Sequence, residues 1–255
     1  MGTYYAKKLS GERLRRCYEV APPKAARYLE AEILHALGRL RPTDEVLELG
    51  CGYGRVMERL VRVARLVVGV DTAEESLELG RRLLQGEGRC RLLHMDATDL
   101  RFRDCTFDAV LCLQNGICAF GVDQRRLLAE AVRVTRPGGI VLMSSYADGF
   151  WEDRLAWFEA QAAEGLVGRV DRAASADGVI VCEDGFRAGR MTADGFRGLC
   201  TSLGLEARIS EVDGSSAVSY THLRAHETPE QLVCRLLLEK KNKNQHVTSP
   251  RQVTI

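Results

Sequence analysis

The sequence predicts a doubly wound α/β fold around a mostly parallel sheet, and three observations predict it. Five short runs rich in Val, Leu and Ile recur at 45–50, 65–71, 91–96, 107–113 and 138–145. Helical patterns separate several of them. A glycine-rich turn, Gly50-Cys51-Gly52-Tyr53-Gly54, stands where the first run gives way to a helix. Strands covered on both faces read as continuous apolar runs rather than alternating ones. Repeated strand-helix-strand units place helices on both sides of a parallel sheet.

Residues 1–43 read as an N-terminal helical cap. Pro22-Pro23 can open a helix, since proline is tolerated in a first turn. Leu29, Ile33, Leu37 and Leu40 then give it one apolar face, and Arg41-Pro42-Thr43-Asp44 ends it. Within the sheet region (44–217), helices are expected at Arg55 to Val63, Ala73 to Leu84 and Asp123 to Thr135. The last carries Leu127, Leu128, Ala131 and Val132 on one side and stops at Arg136-Pro137-Gly138-Gly139. Residues 147–192 are too long for a simple crossover and read as a small α+β insertion after strand five. It comprises a helix from Phe150 to Ala163, then two or three antiparallel strands with turns at Ala176-Asp177-Gly178 and Asp184-Gly185. A helix from Thr192 to Leu203 and a strand near Glu206 to Val212 return to the sheet, and a final strand should follow.

Composition bounds the function. The chain has 255 residues, 45% hydrophobic and 28% charged, with a formal net charge of +1. That suits one α/β domain and gives no field that points to nucleic acid. No apolar run approaches the roughly 20 residues a bilayer span needs, and the basic start MGTYYAKKLSGERLRR has no apolar stretch of a secretory signal. A cytoplasmic protein is expected. The nine cysteines form no CxxC pair, so reduced, mostly buried thiols are expected and no metal site.

The C-terminal segment reads differently. Val218 to Thr228, VSYTHLRAHET, resembles the translation of a transposon-end sequencing adapter, and Leu232 to Lys241, LVCRLLLEKK, resembles its continuation. Residues 218–255 are therefore read as a non-native tail, against the alternative of a genuine basic terminus. Residues 1–217 hold 30 basic and 32 acidic side chains, a net −2, and keep only His35 and His94. If the natural last strand is missing, an unpaired sheet edge is expected, with LVCRLLLEK an accidental filler.

The chemistry lies in Glu48-Leu49-Gly50-Cys51-Gly52-Tyr53-Gly54. Glycines let a backbone turn sharply and approach a ligand closely. Asp71 ends the next strand, where an acidic side chain can accept ribose hydroxyls. A dinucleotide fold wants GxGxxG, but Arg55 occupies the third glycine position.

With those residues the chain resembles the class I S-adenosylmethionine (SAM) dependent methyltransferases, in the branch acting mostly on small molecules and lipids. The resemblance covers about residues 20–145. It rests on Glu48 to Gly54, Asp71, Asp96 in HMDA (94–97), FDAV (107–110) and RVTRPGG (133–139). It implies a Rossmann-like sheet and SAM as cofactor. Gly50, Cys51, Gly52 and Gly54 would line the methionine end, with Glu48 near its amino group. Asp71 and the adjacent Thr72 would take the ribose, and Asp96 and Ala97 the adenine. Leu113, Gln114 and Asn115 would lie beneath the sulfonium. For an acceptor, Tyr4, Tyr5, Asn115, Tyr146 and Trp151 are nominated. A small-molecule acceptor is expected as partner, with no nucleic acid. The residues name neither a catalytic base nor an oligomeric state. His94 is expected to pack against a helix, His35 to lie at the surface, and Cys118 to be a packed thiol. A SAM-binding regulator without turnover, and a nucleic-acid or protein methyltransferase, are the alternative readings.

Overall fold

The computed structural model describes residues 4–214 and the backbone of 216–222. Three helices come first: α1 (Tyr4–Lys8), α2 (Gly11–Glu19) and α3 (Pro23–Leu37). The alternating region follows as β1 (Glu45–Leu49), α4 (Met57–Leu60), β2 (Leu66–Asp71), α5 (Glu74–Leu83), β3 (Cys90–His94), β4 (Phe107–Cys112), α6 (Gly116–Ala119), α7 (Gln124–Val134) and β5 (Thr135–Tyr146). The insertion holds α8 (Trp151–Ala163) and a minimal hairpin of β6 (Ile180–Val181) and β7 (Arg187–Ala188). Then α9 (Ala193–Thr201), β8 (Arg208–Val212) and β9 (Ser216–His222) complete the sheet.

The sheet order is β3-β2-β1-β4-β5-β9-β8. The first five strands are parallel, while β9 runs antiparallel to both neighbours. Strand parity builds two cores. Leu47, Leu49, Val68, Val70, Val110, Cys112, Val141 and Met143 face α7 and α9. Val46, Val67, Ala109, Leu111, Ile140 and Leu142 face α3, α4 and α5. Each such aliphatic side chain, fully buried, contributes about 1.5–3 kcal/mol. Two smaller clusters fasten the insertion. Leu9 and Cys17 pack with Leu155, Phe158, Ile180 and Phe186. Tyr28 of α3 packs with Tyr146, Phe150 and Trp157.

Several expected boundaries move. The helix expected from Arg55 to Val63 contracts to α4, because the left-handed turn of the glycine loop extends to Gly54 (φ +81°). The third strand stops at His94, so Met95 and Asp96 lie in the loop beyond it. Helix α7 begins after Asp123, whose carboxylate caps it by accepting the N–H groups of Arg125 and Arg126. It gives way at Thr135 to β5, which starts earlier than expected and carries a register shift opposite Phe107–Ala109. The insertion's strands are two residues each. His35 is half-buried rather than at the surface, and His94 is exposed, its ring nitrogen 3.1 Å from the Thr72 carbonyl. The β5 side is not left unpaired: backbone from Ser216 to His222 pairs with Tyr146 to Ile140. The segment 232–241 lies outside the described residues. Among the described residues no helix is long and apolar enough to cross a membrane.

Candidate cofactor and acceptor site

The carboxyl ends of β1, β2 and β4 frame a cavity, the position ligands take in open α/β sheets. Beyond β1 the chain is hooked onto β2, as the N–H groups of Gly50 and Cys51 both donate to the Val70 carbonyl at 2.8 and 3.1 Å. Gly50 and Gly52 then turn at φ +72° and +54°, a region that costs other residues roughly 1–2 kcal/mol. At Gly50 space is also decisive: a Cβ there would lie 2.2 Å from Phe120 Cζ.

Asp71 braces this loop. Its Oδ2 accepts the Gly52 N–H and its Oδ1 the Ala73 N–H, both at 2.8 Å. Burial raises its pKa, and the backbone donors oppose that rise. A carboxylate offers about four lone-pair sites, so capacity remains for a hydroxyl. Asp96, after β3, accepts both the backbone N–H and the hydroxyl of Thr98 at 2.8 Å. After β4 the backbone is unusual, with Gln114 and Asn115 at φ +54° and +65°. The Gln114 N–H donates to Glu32 on α3 at 2.9 Å and to Ser144 on β5 at 2.8 Å.

The cavity has a volume of about 390 Å³, within the range of small-molecule sites. The lining from the ends of β1, β2 and β3 is polar, with Glu48, Arg55, Asp71, Thr72 and Asp96. That from α1, β5 and α8 is aromatic, with Tyr5, Tyr146, Trp157 and Phe158, and Tyr18 lies between, against both Arg55 and Trp157. Glu48 is 4% exposed, and its Oε2 has no hydrogen-bond partner. Burial pushes its carboxyl up to about 8, with Arg55 pulling down and Asp71 pushing up. The Arg55 guanidinium carbon lies 4.3 Å over the Tyr18 ring, and its buried Nε and Nη2 have no partner.

Of the residues expected to meet a cofactor, Glu48, Gly50, Cys51, Gly52, Asp71, Thr72, Asp96, Ala97, Leu113 and Gln114 line this cavity, while Gly54 and Asn115 do not. Of the acceptor nominees, Tyr5 and Tyr146 line it. Tyr4 instead donates its hydroxyl to Asp184 and packs on Phe186. Asn115 is buried, donating to the Gly189 carbonyl at 3.0 Å and accepting from Ser145 at 2.6 Å. Trp151 packs in the insertion's cluster. The sequence reading passed over Leu14, Cys17 and Tyr18 of α2, Arg55, Phe120 and the α8 residues Trp157, Phe158 and Gln161. The i, i+3, i+4 spacing of Leu14, Cys17 and Tyr18 was the available signal. FDAV and RVTRPGG act at the opposite end of the sheet. There Asp108 accepts the Glu45 N–H at 2.8 Å and pairs with Arg136, which also pairs with Glu45.

A family model described as a methyltransferase domain matches residues 46–139, the stretch that supplies β1 to β4 and the glycine loop. Over residues 46–139 the chain is similar to the methyltransferase-domain family. Over 108 residues the chain is 37% identical to a demethylmenaquinone methyltransferase of Clavibacter sepedonicus, covering 41% of this chain and 42% of the relative. It is 30% identical over 118 residues to a malonyl-[acyl-carrier protein] O-methyltransferase of Serratia marcescens, covering 46% of this chain and 44% of the relative. The chain thus matches less than half the length of these relatives. A SAM-dependent methyltransferase of Aquifex aeolicus shares the fold at a TM-score of 0.58 and 13% identity, covering 82% of this chain and 97% of that one. The donor set of the cavity fits SAM. Orphaned polar atoms on Glu48 and Arg55 suit an amino-acid group, and Asp71 retains capacity for a ribose.

Proposed function

We propose that the chain transfers a methyl group from SAM to a small, flat, largely apolar acceptor. The observation that carries this reading is a cavity lined by polar groups on one side and aromatic rings on the other. SAM supplies an activated methyl group on a sulfonium, so the protein's task is positioning and exclusion of water. Asp71 would hold the ribose and Asp96 the adenine. Gly50 and Gly52 keep the loop low enough for the methionine chain to pass.

On the aromatic side, Tyr5, Tyr146, Trp157 and Phe158 offer ring faces for an aromatic or similarly flat acceptor. Burial raises the pKa of Tyr5, Tyr18 and Tyr146, so their hydroxyls stay protonated and can donate to an acceptor oxygen. The cavity's described acids, Glu48, Asp71 and Asp96, lie on the polar side, and no histidine is among its described lining residues. Methylation of an acceptor that is already nucleophilic at neutral pH agrees with that lining. A relative named for demethylmenaquinone supports an acceptor with a ring.

The test is calorimetric titration of S-adenosylhomocysteine into wild-type protein and Asp71→Ala, followed by an acceptor panel. Micromolar binding that the substitution weakens at least about tenfold, or 1.4 kcal/mol, supports the reading. A folded protein that binds no S-adenosylhomocysteine refutes it.

A further inference from the structure

A carboxyl and a guanidinium face the polar side of the cavity with no hydrogen bond between them. Glu48 is a buried carboxyl whose Oε2 has no partner, and Arg55 is a guanidinium whose buried Nε and Nη2 have none. They are close enough to act on one another electrostatically. Burying a donor or acceptor without a partner is costly, more so when it is charged. The carboxylates near Arg55 are engaged elsewhere. Glu30 is held by both terminal nitrogens of Arg59 at 2.8 Å, and Asp71 braces the glycine loop. The guanidinium carbon lies 4.3 Å over the Tyr18 ring, a contact that holds the group in place without using any of its N–H donors.

We propose that Arg55, seated on Tyr18, binds the carboxylate of the cofactor's amino-acid end, across from Glu48, which the family resemblance already puts near its ammonium. An α-amino acid carries both charges on one carbon, so it fills the space between two unjoined, opposite side chains. The planar guanidinium presents donors in a fork that a carboxylate accepts in pairs. A ligand lacking both an ammonium and a carboxylate would leave both groups unsatisfied. Arg55 therefore has a ligand role, beyond its place where a dinucleotide fold would need glycine. The inference rests on the SAM reading.

Three ligands separate the contributions: S-adenosylhomocysteine, S-adenosyl-3-thiopropylamine (amine kept, carboxylate absent) and 5′-methylthioadenosine (both absent). Affinities are measured by calorimetry for wild type, Arg55→Gln and Glu48→Gln. Arg55→Gln is expected to weaken S-adenosylhomocysteine about tenfold or more, the loss of a charge-assisted pair, and to leave the other two unchanged. Glu48→Gln is expected to weaken both amine-bearing ligands and spare 5′-methylthioadenosine. Retained binding of that smallest ligand reports that each variant is folded. If Arg55→Gln weakens all three equally, or none, the assignment is overturned while the SAM reading stands. If wild type binds none of the three, the SAM reading falls and the assignment with it.

Discussion

Glu48 couples the site to pH. Its ordinary value of 4.5 is raised to about 8 by burial. Below about pH 4.5 the folded and unfolded chains both hold the proton. Between there and pH 8 the unfolded chain releases it and the folded chain keeps it, so stability falls as pH rises through that window. Asp71, also raised, adds a slope of the same sign. Urea denaturation at pH 5, 6.5 and 8 should show this decline in wild type and a flatter course in Glu48→Gln. An unchanged slope in the variant would place the titration elsewhere. A ligand ammonium beside Glu48 would favour its ionised form. S-adenosylhomocysteine binding near pH 7 should then release a proton, seen as a binding heat that varies with buffer ionisation enthalpy and loses that variation in Glu48→Gln.

At the scale of elements, the glycine loop and α6 are fitted to each other. Gly50→Ala places a methyl group both at φ +72° and within 2.2 Å of the Phe120 ring. The backbone cost alone is about 1–2 kcal/mol, and the ring must also move. Denaturation should show a loss above that backbone cost. Adding Phe120→Ala to Gly50→Ala should recover the steric part and leave the backbone part; a double variant that simply sums the two losses would deny the contact. The strands around this loop were legible because buried parallel strands leave Val and Leu runs such as LVVGVD. Helix α2 was not, because Glu12, Arg13, Arg15, Arg16 and Glu19 make it read as a solvated helix. Only Leu14, Cys17 and Tyr18 turn toward the cavity. Arg55 was read only for the glycine it displaces, since one sequence does not reveal that a half-buried cation shortly after a strand keeps two buried nitrogens without a partner. Asn115 drew a functional expectation because of its place after β4, yet its amide is spent tying Ser145 to Gly189.

Across the whole molecule, the cavity is closed by pieces distant in sequence. Helix α2 is pinned to α5 through Ser10 to Glu75 at 2.6 Å and the Gly11 N–H to Ser76 at 2.9 Å. It is pinned to the end of α8 through Arg13 to the Gly165 and Leu166 carbonyls and Arg16 to Glu164. The ties from Arg13 to Gly165 and from Arg16 to Glu164 are exposed and individually weak, so the N-terminal helices can open more readily than the sheet. Amide exchange at residues 9–19 should slow when S-adenosylhomocysteine binds, while α7 changes little; equal slowing of both would indicate global stabilisation instead.

The sheet itself sets the last expectation. Strand β9 joins two partners, pairing Ser216 to His222 with Tyr146 to Ile140 of β5 and Ser216 to Tyr220 with Val212 to Arg208 of β8. Ending the chain at residue 217 removes five of its seven residues. That strips β5 of its partners opposite Ile140 to Ser144 and β8 of its partners opposite Arg208 to Ser210. An unpaired edge of this kind invites association with another chain. A chain ending at residue 222 retains every one of these pairings. The 1–222 chain should therefore melt with the full chain. The 1–217 chain should melt lower, by about 2–4 °C for each kcal/mol lost, and show association in sedimentation. Equal melting of all three would mean that β9, despite its central register, contributes no stability to the sheet.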